Sequence, residues 1–191
     1  MTRAGRVTTL AGIVLALLVG ASLWRLGPLP RLGEFLDPAH GVWTVARQAE
    51  LPAHSAAVIP GLSAPVNVVY DDRAVPHIFA SSELDAVRAL GYVVARDRLL
   101  QLEVQWRAGA GRLTELLGPR LLGIDRESRE LGLADAAARR FSELSPSDPN
   151  RRLLDAFADG VNARIHELGP RDIPLEYHLL GRHPAPWESI Y

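Results

Sequence analysis

The residues of this chain able to do chemistry are many, and their spacings exclude most reactions. No G-x-S-x-G string occurs, so the strand–turn–helix elbow that exposes a nucleophilic serine is absent. Ser-x-x-Lys is impossible, because all 21 basic residues are Arg. There is no Cys, which removes thiolate metal sites, disulfides and a thiol nucleophile. None of the 16 glycines is followed by Ser or Thr, the sequence at which a self-processing amidohydrolase would free a new N-terminal nucleophile. The histidines, His40, His54, His77, His166, His178 and His183, form no HExxH and no helical i, i+4 pair, so a zinc site has no frame.

Three places remain. His77 follows Pro76 in an extended stretch, where it is either a histidine hydrogen-bonded within a hairpin or a general base; the first reading is favoured. Asp97 lies between Arg96 and Arg98, and successive helical residues point about 100° apart. Its carboxylate therefore looks elsewhere, either to a structural partner such as Arg129 or to a substrate, and the ion pair is favoured. Arg107, Arg112 and Arg120 surround Gly109 and Gly111. They form either a solvated basic turn or an anion pocket at the start of the next helix, and the bland reading is favoured. Gly109-Ala110-Gly111 follows a helix instead of a strand and lacks a third glycine, so it is no phosphate loop.

The elements that carry these residues are legible from pattern. Val66, Val68 and Tyr70 alternate as a strand, Asp71 to Ala74 form a turn capped by the Asp side chain, and Val75 to Ala80 return. Ser82 with Asp85 fits a capping box for a helix over Ser82 to Ala108, with Leu84, Val87, Gly91, Val94, Leu99, Leu102 and Trp106 inward. Leu113 to Leu117 makes a further turn closed by Gly118-Pro119. Asp125 is expected to cap one helix running to about Leu144, with Leu131, Ala134, Ala138 and Phe141 inward. Ser145-Pro146 opens the next, whose apolar face is Leu153, Phe157, Val161, Ile165 and Leu168. Pro174 to Leu180 is a short helix, and His183 to Trp187 an extended connector. The class is α+β, mostly helical with one β-hairpin. A lone hairpin is marginal in water and calls for a partner sheet.

Length and composition frame this reading. A chain of 191 residues holds one core, and 48% hydrophobic with 23% charged residues is globular. A net charge of −1 gives no case for nucleic acid. Val7 to Trp24 is uncharged, preceded by Arg3 and Arg6. It reads as an uncleaved signal anchor or a signal peptide within 1–26, placing the remainder in the cell envelope, periplasmic or extracellular. Residues 27–61, with Pro28, Pro30, Pro38, Pro52 and Pro60, read as a Pro/Gly-rich tether, and residues 62–191 as the folded domain.

Four ordered blocks carry a resemblance. Asp71-Asp72-Arg73-Ala74-Val75-Pro76-His77-Ile78 is similar to D-x-x-G-[VI]-P-H-I, and Gly91 to Gln101 to G-Y-x-x-A-x-D-R-x-x-Q. Gly111 to Gly118 is similar to G-x-L-x-E-x-x-G, and Ala158 to Ala163 to A-D-G-[VM]-N-A, with Pro186-Trp187 after them. Together they resemble the penicillin acylase family of N-terminal-nucleophile hydrolases. The resemblance implies the N-terminal part of the small chain of an αββα sandwich, made as one precursor and cut. Its partner is the large (beta) chain, whose N-terminal nucleophile lies outside these residues. Substrates of such enzymes are acylated amines, of penicillin/cephalosporin type or N-acyl-homoserine lactones, and calcium is possible in the full-length enzyme. No cofactor is expected in this piece, which alone is expected to be inactive. No catalytic, substrate-binding or metal residue transfers to it. His77, Asp97 and Asn162 are motif residues expected in scaffold roles. The alternatives are a non-catalytic, membrane-anchored helical interaction module or a pseudogene remnant. Ala74 stands where the family pattern has Gly, at a cost of about 1 kcal/mol if the position needs positive φ.

Overall fold

The computed structural model describes residues 3–22, 33, 36–37, 41–43, 55–169 and 172–190. Most of the tether expected over 27–61 lies outside the described residues. The described residues fall in two units, one of residues 1–53 with 173–182, the other of 54–172 with 183–191.

The first unit contains α1 (Arg3–Ser22) and the short helix Leu175–Leu180, which buries Tyr177 and ends on left-handed Gly181. Helix α1 covers most of the run expected as an anchor or leader, and Leu15, Leu17 and Leu18 on it are exposed. Among the described residues no helix is long and apolar enough to cross a membrane.

The second unit holds the motif residues. Strands β1 (Asn67–Tyr70) and β2 (Pro76–Phe79) pair antiparallel, with Val68 opposite Ile78 and Tyr70 opposite Pro76. The sheet has these two strands alone among the described residues, so the hairpin lacks the partner strands that would stabilise it in water. Asp71 closes the turn as expected. Its Oδ1 accepts from the backbone N–H of Arg73 and of Val75, both at 2.9 Å. Ala74 sits at φ 58° in the left-handed region, so the turn does require the conformation that glycine adopts freely.

Helix α2 (Glu83–Ala110) follows, with Ser82 as N-cap accepting from the Asp85 N–H. The second half of the expected capping box is diverted. The Asp85 carboxylate receives the backbone N–H of Ser63 at 3.0 Å and the Ser63 hydroxyl, tying the segment before β1 to the start of α2. Then come α3 (Leu113–Leu117), a 3-10 turn at Pro119–Leu121, α4 (Leu122–Leu131), α5 (Leu133–Glu143) and α6 (Pro149–Glu167).

The core is the crossing of α2 with α6, and its centre differs from the expected face. Gly91 and Leu99 are buried as expected, but Ala89, Tyr92, Val93 and Ala95 take the centre with Ala156, Ala158 and Val161. The cause is close approach. A Cβ added at Gly160 would lie 1.9 Å from the Arg88 carbonyl oxygen, and one at Gly91 would lie 2.2 Å from that of Phe157. Where backbones nearly touch, only small side chains fit, and Leu153, Phe157 and Ile165 flank the contact half-buried.

Two other expectations are corrected. The helix expected from Asp125 to Leu144 is broken at Gly132, which is left-handed (φ 67°) and serves as C-cap of α4 and N-cap of α5. Its expected core residues Leu131, Ala134 and Ala138 are exposed. The next helix opens at Asp148-Pro149, not Ser145-Pro146. Both pairs offer a cap and a first-turn proline, and Asp148 wins by accepting from the N–H groups of Asn150 and Arg151.

Candidate functional site

The chemistry-bearing side chains gather in three clusters of the second unit. At the hairpin turn, the His77 ring nitrogen Nε2 lies 3.4 Å from Asp71 Oδ2. Asp71 already holds the turn, and its carboxyl lies below the usual range, chiefly through the Val75 N–H. His77 is therefore a hairpin residue with a structural neighbour, half exposed.

The second cluster lies where β1 meets α2. The Tyr70 hydroxyl donates to Asp97 Oδ2 at 3.1 Å, Arg96 Nε donates to Asp97 Oδ1 at 3.1 Å, and the Arg96 guanidinium lies 4.8 Å over the Tyr70 ring. The expected partner of Asp97, Arg129, is elsewhere and donates to the Gly111 carbonyl at 2.9 Å. Burial, then the Asp97 charge, push the Tyr70 phenol up to about 12, so it acts as a neutral donor at any ordinary pH. At Arg98 the backbone leaves the helix (φ −147°, ψ 37°).

The third cluster surrounds the glycine break. Arg107 is buried, not solvated. It binds Glu103 at 2.8 Å one turn back and Glu115 of α3 at 2.7 Å, with its guanidinium 4.6 Å over Trp106. Arg112 binds the same Glu115 through Nε at 2.8 Å and lies 5.1 Å over Trp106. Bonds from Arg112, then Arg107, hold the Glu115 carboxyl below its ordinary value. The cations are matched by carboxylates, so the anion-pocket reading fails for Arg107 and Arg112, and Arg120 lies exposed on the 3-10 turn. A depression of about 340 Å³ beside the break is lined by Arg112, Ser128, Arg129, Leu133 and Asp135, with both arginines already engaged.

Asp125 is the residue that pattern reading misplaced. It does not cap its own helix. Its oxygens accept from the N–H groups of Leu113 and Thr114 at 2.8 Å each, which caps α3 across space. Burial raises the Asp125 carboxyl, and the bonds from Thr114 and Leu113 outweigh it and hold the group low. A signal existed: α3 begins after Arg112, which cannot cap it, so the cap had to come from outside its own sequence. Asn162 does for the chain end what a strand partner would do. Its Nδ2 donates to the Trp187 carbonyl at 2.8 Å and its Oδ1 accepts the Trp187 N–H at 2.9 Å, while the Trp187 ring meets Phe157 edge-on at 6.3 Å.

His77, Asp97 and Asn162 thus each have a partner within the fold. Among the described residues, no group of three His, Asp or Glu is placed to hold a metal. The arrangement ties two helices, a hairpin and a capped turn to one another.

Comparison with known proteins places this scaffold. The penicillin amidase family model matches residues 65–191. Penicillin acylase 2 proenzyme of Pseudomonas sp. (strain SE83) is 45% identical over 144 residues, which are 75% of this chain and 18% of that protein. The acyl-homoserine lactone acylase QuiP of Pseudomonas aeruginosa is 33% identical over 137 residues, 72% of this chain and 16% of that protein. Among solved structures, a thermostable penicillin G acylase from Alcaligenes faecalis superposes with a TM-score of 0.60 at 30% identity, covering 66% of this chain and 67% of the matched chain. The chain therefore spans less than a fifth of the length of these curated relatives.

Proposed function

The chain belongs to the penicillin amidase family, and from that premise we propose that it is the leading part of the small chain of an acyl amidohydrolase. In this reading the reaction is hydrolysis of an acyl amide, of penicillin/cephalosporin or N-acyl-homoserine lactone type. A large chain completes the sandwich and supplies the nucleophile as its own N-terminal residue, whose free amine takes the proton. The residues described here bind no substrate. They build the platform on which that chain docks.

The observation that carries this is the two-stranded sheet. Tyr70 and Pro76 face α2, while Val69 and Phe79 are 55% and 61% exposed on the other face. A hairpin whose outer face, Asn67, Val69, His77 and Phe79, exposes two apolar side chains beside two polar ones, and which has no further strand among the described residues, suits a sandwich whose second layer comes from elsewhere. We further propose that 62–191 is the family domain, that 27–61 is a tether, and that 7–24 is an export segment, either anchor or leader, that puts the domain in the cell envelope. The uncharged run and the exposed leucines of α1 support the export segment.

The test is co-expression of the chain with a Ser-initiated large chain of the SE83 relative, assayed by amine release from penicillin G, a cephalosporin and N-acyl-homoserine lactones. Hydrolysis of one substrate class by the pair, and of none by either chain alone, is expected. Turnover by this chain alone would overturn the placement of the nucleophile.

A further inference from the structure

In the second unit the chain is pinned to its helices from Gly61 onward. Arg88 of α2 donates through Nη1 to the Gly61 carbonyl at 2.7 Å and through Nη2 to Asp159 of α6 at 3.1 Å. Gly61 turns at φ 83°, and a Cβ on it would lie 3.3 Å from the Arg88 guanidinium carbon. Two residues on, the Ser63 backbone N–H and hydroxyl both bond to the buried Asp85 carboxylate.

Just before that point the chain is open. Ser55-Ala56-Ala57-Val58-Ile59 carries neither helix nor strand, and no hydrogen bond or ion pair joins it to the other described residues. Ser55 to Val58 are exposed, Val58 to 93%, so packing does not hold this stretch. Other connectors of the unit are tied, 71–75 by Asp71, 144–148 by Arg151 and the Asp148 cap, and 183–187 by Asn162. A protease takes its substrate as an added strand, so a cut inside a bonded fold waits for local opening and a cut here does not. The side chains are small and uncharged. Pro60 shields the bond after Ile59, because its ring nitrogen carries no N–H.

We propose that residues 55–59 are a processing site, at which an endoprotease selective for small aliphatic residues cuts the family domain from the segment before it. Water adds across one peptide bond between Ser55 and Ile59, giving a new carboxylate and a new amino terminus. The ties to Arg88 and Asp85 lie beyond the cut, so the segment leading into β1 stays fastened. The site rests on the export reading above for where the protease meets the chain, and not on which amide the enzyme cleaves.

The test is a digest of the full chain with pancreatic elastase, which cuts after small aliphatic residues, read by intact mass and N-terminal sequencing. The first product is expected to begin between Ala56 and Ile59 and to form about tenfold or more faster than any cut within 62–191. The triple variant Ala56→Asp, Ala57→Asp, Val58→Asp changes exposed positions only and puts charges where that enzyme's pocket is apolar. It should slow this cut about tenfold or more and leave the others unchanged. A first cut before Ser55 or within 62–191, or an equal rate in the triple variant, would overturn the site. Expressed in a bacterial host, the chain should give an envelope form that begins between Ala56 and Ile59. An envelope form with 55–59 uncut would overturn the processing. Chain found only in the cytosol would overturn the export reading instead, with the digest still deciding the site.

Discussion

Gly160→Ala tests the packing on which the platform rests. A methyl group there would stand 1.9 Å from the Arg88 carbonyl oxygen, 2.8 Å from the Tyr92 amide nitrogen and 2.9 Å from the Arg88 carbonyl carbon. These are backbone atoms of α2 and cannot rotate away. Ordinary contact begins at 3.4 Å, so the helices must part by roughly 1.5 Å at the crossing. That parting loosens Ala89, Val93, Ala156 and Val161, all now at 4% exposure or less. Overfilling a packed core costs about 1–3 kcal/mol, and an obstruction made of backbone belongs at the upper end. Alanine returns about 1 kcal/mol of helix propensity. The net loss is roughly 2 kcal/mol, or about 1 M in a urea midpoint for an m-value near 2 kcal/mol/M. Gly109→Ala in α2 is the control, because its Cβ would meet nothing within 4 Å and should stabilise by about 0.5–1 kcal/mol. Urea titration followed by Trp106 and Trp187 fluorescence reads both. A Gly160→Ala midpoint at or above the parent's would refute the close crossing, as would an equal loss at Gly109.

Further expectations follow from single contacts. Ala74→Gly removes a left-handed alanine and should raise stability by about 1 kcal/mol, measured by the same titration. Asn162→Ala gives up both bonds to Trp187 and should cost about 1–2 kcal/mol, with a red-shifted Trp187 emission; an unshifted spectrum would show that Asn162 does not hold the connector. Arg107→Leu leaves Glu103 buried without its cation and should cost about 3–5 kcal/mol, most of it recovered in the double variant with Glu103→Leu. Acid unfolding should respond to Ser63→Ala. The Ser63 bonds depress the Asp85 carboxyl, so their stabilisation is present above the unfolded value near 4 and is lost as pH falls through the lower folded value. Ser63→Ala removes the hydroxyl bond and keeps the backbone one, so the folded value moves toward the unfolded one, and circular dichroism should show a less stable chain at neutral pH that unfolds at higher pH on acidification.

What pattern could read was what is local. The Asp71 turn, the Ser82 cap, the paired strands and the glycine stop after α2 all depend on residues within a few positions, and all were legible. Contacts that close across space were not. Asp125 looked like the cap of its own helix and serves α3, and Arg107 looked like a surface cation and is buried between two carboxylates. Gly91 and Gly160 carry no signal in one sequence that each is where another backbone passes. The α4–α5 face follows the helical period yet stays exposed. The same holds for the site. The motif blocks identified the family, and His77, Asp97 and Asn162 within them bond to other residues of the fold.

The claim that this chain is a docking platform for a catalytic partner is tested most directly by binding. The purified chain, mixed with a Ser-initiated large chain of the family, should elute from a sizing column as a one-to-one complex that releases free amine from an acyl amide. Phe79→Asp on the exposed face of the hairpin should abolish the complex while leaving the circular dichroism of the chain unchanged. A complex that forms equally well with Phe79→Asp would contradict the proposed docking face, and no complex at all would contradict the account.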